Sequence, residues 1–65
     1  MLEQYDEHAK RRIKAIAIQI VTGMVANGEI AGSDAAIEEG IRAAMPQAIE
    51  DARLAYTAAE EFICG

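Results

Sequence analysis

The side chains of this sequence that could perform acid–base chemistry are mainly carboxylates that stand next to one another. They form the adjacent pairs Glu38-Glu39, Glu50-Asp51 and Glu60-Glu61. Neighbouring residues point about 100° apart on a helix, so a general acid and its base do not meet within such a pair. The carboxylates therefore predict no catalytic centre.

The single histidine and the single cysteine add no recognisable site. His8 lies among Asp6, Glu7 and Lys10, which predicts a solvated helix face and no nucleophile beside the imidazole. Cys64 has no second cysteine in the chain, so an internal disulfide is excluded, and a disulfide between chains is disfavoured in a reducing compartment. One histidine and one cysteine also fall short of a structural zinc site. We expect a protein that is not an enzyme and that holds no metal and no cofactor.

Charge divides the chain into two unlike parts. Eleven acids oppose six cations, for a net charge of −5. Four of the cations form a basic cluster at Lys10, Arg11, Arg12 and Lys14. Residues 29–65 hold eight acids against two cations, which disfavours direct nucleic-acid binding and suits a basic protein surface. The candidate partner-binding residues are Glu38, Glu39, Glu50, Asp51, Glu60 and Glu61.

Apolar spacing predicts an all-α fold in one domain over residues 1–65. Large apolar residues and alanine recur in steps of three and four from Leu2 to Met24, which predicts a helix over 2–27. Asn27-Gly28 should end this helix, with Gly28 at positive φ. Ser33 is a suitable N-cap for the next one.

Pro46 predicts a division of the second half into two helices. Proline disfavours helical geometry at the preceding residue and suits the first position of a new helix. We therefore expect helices over 34–45 and 46–63, and a three-helix domain. A single kinked helix over 34–63 is the alternative.

The apolar content predicts association with further copies. Of the 34 apolar residues, 14 are alanine, so a domain of this size builds a small core. Residues 13–26 are apolar around most of the helix, but the segment is too short to span a membrane. A second copy could cover the exposed sides, which predicts a homodimer or higher oligomer. The candidate interface residues are Ile16, Ile18, Ile20, Met24, Ala52, Tyr56 and Ala59.

The segment from Asp34, with DAAIEEGIRAAM followed by AIEDARLAYTAAEEFI, resembles short uncharacterised open reading frames of phages and prophages in GC-rich bacteria. The resemblance covers roughly half of the chain. It implies a small accessory phage protein that binds and blocks a host factor, as anti-CRISPR proteins and transcription inhibitors do. The opening residues 1–4 lack the basic region and apolar run of a signal peptide, so a cytoplasmic location is expected.

Three functional hypotheses follow from the sequence. The first is an acidic inhibitor or adaptor that occupies a basic surface of a host protein. The second is a structural homo-oligomerisation module. The third is a regulator that contacts nucleic acid through Lys10, Arg11 and Arg12. Ionic strength separates the first two, because salt weakens capture by carboxylates and leaves apolar association in place.

Overall fold

The chain forms a hairpin of two α-helices in the computed structural model, which describes residues 2–63. Helix α1 spans Glu7–Ala26 and helix α2 spans Asp34–Phe62. The described residues contain no β-strand. The all-α prediction is confirmed at this level, whereas the predicted number of three helices is wrong.

Helix α1 begins later than the predicted residue 2. The Asp6 side chain accepts a hydrogen bond from the Ala9 backbone N–H at 2.8 Å, and Asp6 itself has extended backbone angles. This geometry is that of an N-cap, which starts a helix at the following residue. The preceding residues form a turn in which the Tyr5 N–H bonds the Leu2 carbonyl at 3.1 Å.

The predicted end of α1 is confirmed. Gly28 has a φ of +79°, and its N–H bonds the Val25 carbonyl at 3.1 Å. The Glu29 N–H bonds the Met24 carbonyl at 2.9 Å. These two bonds form a Schellman motif, in which a glycine with positive φ satisfies the last carbonyls of a helix.

Helix α2 continues through Pro46, so the predicted boundary between 34–45 and 46–63 is wrong. The N-cap prediction holds, since the Ser33 hydroxyl accepts from the Ala36 N–H at 3.2 Å. Pro46 has no N–H to bond the Arg42 carbonyl. Both residues are exposed, so water can solvate that carbonyl, and packing on α1 holds the helix on either side of the proline.

Small side chains dominate the contact between the helices. The buried residues of α1 recur every four positions, at Ala9, Ile13, Ala17 and Val21. The last three of them form one cluster with Ala48 and Ala52, the buried residues of α2. Ile13 is the largest fully buried side chain. Small residues let two helix backbones approach closely, but they also leave the interior with little apolar volume.

The connecting loop contributes one further buried side chain. Ile30 is buried and lies against Gly40 of α2, where an added Cβ would stand 2.7 Å from the Ile30 Cγ2 atom. Gly40 therefore provides the space in which the loop docks onto the helix.

Candidate functional site

The hairpin leaves most of its large apolar side chains only partly covered. Among residues 2–63, seven hydrophobic residues are buried, and four of them are alanine. Ten further hydrophobic residues pack against this core while staying partly open to solvent, namely Leu2, Tyr5, Ile16, Ile20, Met24, Ile41, Ala44, Met45, Ile49 and Tyr56. The apolar surface around the interhelical contact is thus the main feature available for binding.

One side of the hairpin carries a groove of about 480 Å³. Its apolar lining comes from Leu2, Ile13, Ala17, Ile18, Met45 and Ile49. The two charged side chains that line it are both lysines, Lys10 and Lys14. Lys10 forms an ion pair with Glu7 at 3.4 Å, whereas Lys14 forms no ion pair among residues 2–63. The groove therefore combines an apolar floor with positive charge.

The residues predicted for an oligomer interface do not share one surface. Ile18 is 46% exposed and lines the lysine-rimmed groove. Ile16, Tyr56 and Ala59 line a different cleft, of about 260 Å³. Ile20 and Met24 are half-buried against the core. Ala52 is fully buried between the two helices of one chain, so it has no surface to offer to a second copy.

The six predicted partner-binding carboxylates differ in what they contact. Glu38 is paired with Arg42 at 3.3 Å, and Glu50 accepts two hydrogen bonds from Arg53. Asp51 accepts a hydrogen bond from Gln47 at 3.0 Å. The others, Glu39, Glu60 and Glu61, are exposed and form no ion pair with any residue from 2 to 63.

The N-terminal turn is attached to α2 by aromatic and polar contacts. The rings of Tyr5 and Tyr56 meet edge to face, with centroids 6.3 Å apart. The Tyr5 hydroxyl lies 3.4 Å from the Thr57 hydroxyl. Hydrogen bonds to Thr57 and to Arg53 lower the pKa of Tyr5. These contacts keep Leu2 over the groove, of which it forms one wall.

Three pKa shifts follow from the ion pair and the burial at this end of α2. Hydrogen bonding to Arg53 lowers the pKa of Glu50, and the same bonds raise the pKa of Arg53. Burial, followed by the Glu60 carboxylate, raises the pKa of Tyr56. These interactions connect the N-terminal turn with the C-terminal half of α2.

The remaining candidates are placed without forming a further site. His8, Arg11 and Arg12 are exposed. Cys64 lies outside the described residues. Between residues 2 and 63, no group of three or more histidine, cysteine or acidic side chains could hold a metal ion. Neither described helix has the length and apolarity needed to cross a lipid bilayer.

Sequence reasoning missed the groove and the exposure of Phe62. The apolar spacing places Leu2 in the first predicted helix, and the two lysines belong to the basic cluster. Lys10, Lys14 and Ile18 follow one another at intervals of four residues. This spacing places all three along one side of the helix. That spacing is the signal that could have indicated the groove.

Comparison of this chain with protein-family models, curated proteins and solved structures found no match. Its function is therefore inferred from its own surfaces.

Proposed function

We propose that this chain is a non-enzymatic, cytoplasmic binding protein that works as a self-associated helical hairpin. The observation that carries the proposal comes from residues 2–63, in which seven hydrophobic residues are buried and ten more pack against the core while only half-covered. Removing apolar surface from water yields about 25 cal/mol per Å². A second hairpin would cover the half-buried side chains. The two hairpins together would form a four-helix bundle, a common way to bury the apolar faces of helices.

Sedimentation equilibrium at low and at high ionic strength tests self-association. We expect the mass of at least two chains in the micromolar range under both conditions, because apolar burial drives the contact and salt screens only charges. A monomer mass over the whole concentration range would contradict the proposal. Loss of the assembly on adding salt would assign the contact to charged groups instead.

The second candidate function is capture of a basic protein surface by α2. It is favoured by Glu39 and Glu61, which are exposed and form no ion pair within residues 2–63. Folding does not require such charges, because exposed like charges contribute little to stability. The resemblance to short phage proteins makes a host protein the proposed partner, with this chain as an inhibitor or adaptor. The two candidates are compatible, since the outward carboxylates stay accessible when apolar sides are covered.

Charge reversal tests the second candidate. The chain is used to capture proteins from an extract of the source cells, and the captured protein is then purified and titrated. We expect Glu39→Lys with Glu61→Lys to weaken binding more than tenfold, and salt to weaken binding steeply. The control is Glu38→Lys, whose carboxylate already forms an ion pair with Arg42. Binding that survives the double reversal and high salt would refute the carboxylate mechanism.

A further inference from the structure

The hairpin is one helix layer thick. Its principal extents are 43, 22 and 15 Å, and a single helix with its side chains already measures about 10–12 Å across. Stable domains pack two or more layers around one core. Residues 2–63 supply a single layer, so a second layer requires another chain.

The exposed area of the chain indicates how much surface that second layer would cover. The chain exposes 4766 Å² for a mass of 7.0 kDa. Monomeric proteins of that mass expose about 4,000 Å², so the excess is about 700 Å². A stable interface of standard size covers about 800 Å² on each partner. The excess therefore matches the surface that one interface would remove from this chain.

The two sides of the layer are lined by different residues. Those that directly follow a buried residue in sequence, such as Lys14, Ile18 and Ile49, line the lysine-rimmed groove. Those that directly precede a buried residue lie on the opposite side, because each residue advances a helix by about 100°. Ala55 and Ala59 join Ile16 along a cleft on that side. We call it the open face, and its members are Arg12, Ile16, Ile20, Gln47, Asp51, Ala55 and Ala59.

Charge favours the open face for contact between two copies. A two-fold axis sets one surface of a protein against the same surface of its copy. The groove side would then confine the lysines of both copies in one interface, and Leu2 already covers part of that side. The charged members of the open face are instead one cation, Arg12, and one acid, Asp51. Neither forms an ion pair with any residue from 2 to 63.

Arg12 and Asp51 stand at nearly the same height along the hairpin. They directly precede Ile13 and Ala52, which are both fully buried in one cluster. A two-fold axis parallel to the helices preserves that height and sets α1 of each copy against α2 of the other. The opposite charges of the open face therefore meet twice in one dimer.

We propose that a second copy of this chain packs on the open face, with Arg12 of each copy beside Asp51 of the partner subunit. The isoleucines and alanines of the open face form the apolar part of the contact, and the alanines permit a close approach of the helices. The proposal rests on the self-association proposed above and assigns its contact surface. The product is a four-helix bundle in which neighbouring helices are antiparallel.

Lysine in place of an exposed alanine tests the contact surface. We expect Ala55→Lys to raise the dissociation constant of the dimer at least tenfold in sedimentation velocity experiments, because it places a charge in an apolar contact. The matched control is Ala58→Lys, which is exposed and lies about 200° around the helix from the core-facing Tyr56. It should leave the constant unchanged. Native affinity in the Ala55→Lys protein would overturn the contact surface while leaving self-association intact. A native chain that stays monomeric would overturn both.

The same charge on the groove side distinguishes the two sides of the hairpin. Ile18 lines the groove and is 46% exposed, and we expect Ile18→Lys to leave the dissociation constant unchanged. A dimer that is weakened by Ile18→Lys and insensitive to Ala55→Lys would assign the interface to the groove side and overturn the proposal.

Mixing two single variants tests the pairing between chains. Arg12→Glu and Asp51→Arg, both at exposed positions, should each weaken the dimer, because each brings like charges together at both contacts. In the mixed dimer, opposite charges face each other at both contacts. We therefore expect an equimolar mixture to recover close to native affinity, which pairing within one chain could not produce. A mixture as weak as the separate variants would overturn the pairing.

Discussion

Ala52 shows how strongly the fold depends on side-chain size at single positions. It is fully buried against α1, and a larger side chain there would force the helices apart. Overpacking of this kind costs about 1–3 kcal/mol. We expect Ala52→Leu to lower the free energy of unfolding by that amount in urea denaturation. Ala43→Leu, at an exposed position of the same helix, should change it by less than about 0.5 kcal/mol. Equal effects would show that Ala52 is not enclosed.

Glu50 gives a prediction about pH. Its hydrogen bonds with Arg53 hold the pKa of the carboxyl below its ordinary value of 4.5. A group whose pKa is lower in the folded state stabilises the fold above the ordinary pKa, and that contribution is lost as the pH falls through the folded value. We expect Glu50→Gln to be less stable than the native chain at neutral pH. The difference should disappear as acid protonates Glu50, below pH 4.5. A difference that persists in acid would assign the effect to packing.

Individual residue environments were the least predictable part of the site. The charge of Glu38 and Glu39 is evident in the sequence. The structure shows that Glu38 forms an ion pair with Arg42, whereas Glu39 forms none with any residue from 2 to 63. Ala52 could be assigned to an apolar stripe from its spacing. Whether that stripe faces the chain's own helix or a second copy depends on tertiary packing, which spacing does not encode.

At the scale of elements, Gly23 in α1 and Gly40 in α2 allow a comparison of two helical glycines, one with and one without space for a methyl group. Gly23 lies inside α1 with nothing within 4 Å of an added Cβ, whereas a Cβ on Gly40 would meet Ile30 at 2.7 Å. Alanine in place of glycine inside a helix stabilises by about 0.5–1 kcal/mol when space allows. We expect Gly23→Ala to raise the melting temperature and Gly40→Ala to lower it or leave it unchanged. A gain at both positions would show that the loop does not pack on α2 as described.

Pro46 provides the second prediction at this scale. The helix that passes through it lacks the hydrogen bond to the Arg42 carbonyl. Alanine restores that bond and removes the steric conflict of the ring, against a smaller gain in the entropy of the unfolded chain. We expect Pro46→Ala to raise the free energy of unfolding by about 1–2 kcal/mol with no loss of helical circular dichroism. Destabilisation would indicate that the proline is required for the path of α2.

The ends of the elements were predictable where local chemistry determines them. Gly28 and Ser33 were identified because a positive φ and a side-chain cap act within a few residues. Asp6 has the same capping ability, but the apolar spacing of Leu2 and Tyr5 favoured extension of the helix past it. The predicted helix boundary at Pro46 is wrong. Proline locally disfavours a continuous helix, but the residues on either side of it pack against α1, and this tertiary packing keeps α2 intact.

At the scale of the whole molecule, folding and association are expected to be coupled. A 65-residue chain that buries so few large side chains is marginal as a monomer. Its half-covered apolar surface was anticipated in outline from composition and length. The groove was not, because it joins Leu2, a segment of α1 and a segment of α2 that lie far apart in the sequence.

The concentration dependence of thermal unfolding tests the central claim most directly. Any partner that binds only the folded state raises the apparent stability by mass action. If a second copy completes the fold, the melting temperature followed by circular dichroism will rise steadily from low to high micromolar protein. A cooperative transition with the same midpoint at every concentration would contradict the account, because it would describe a hairpin that is stable alone.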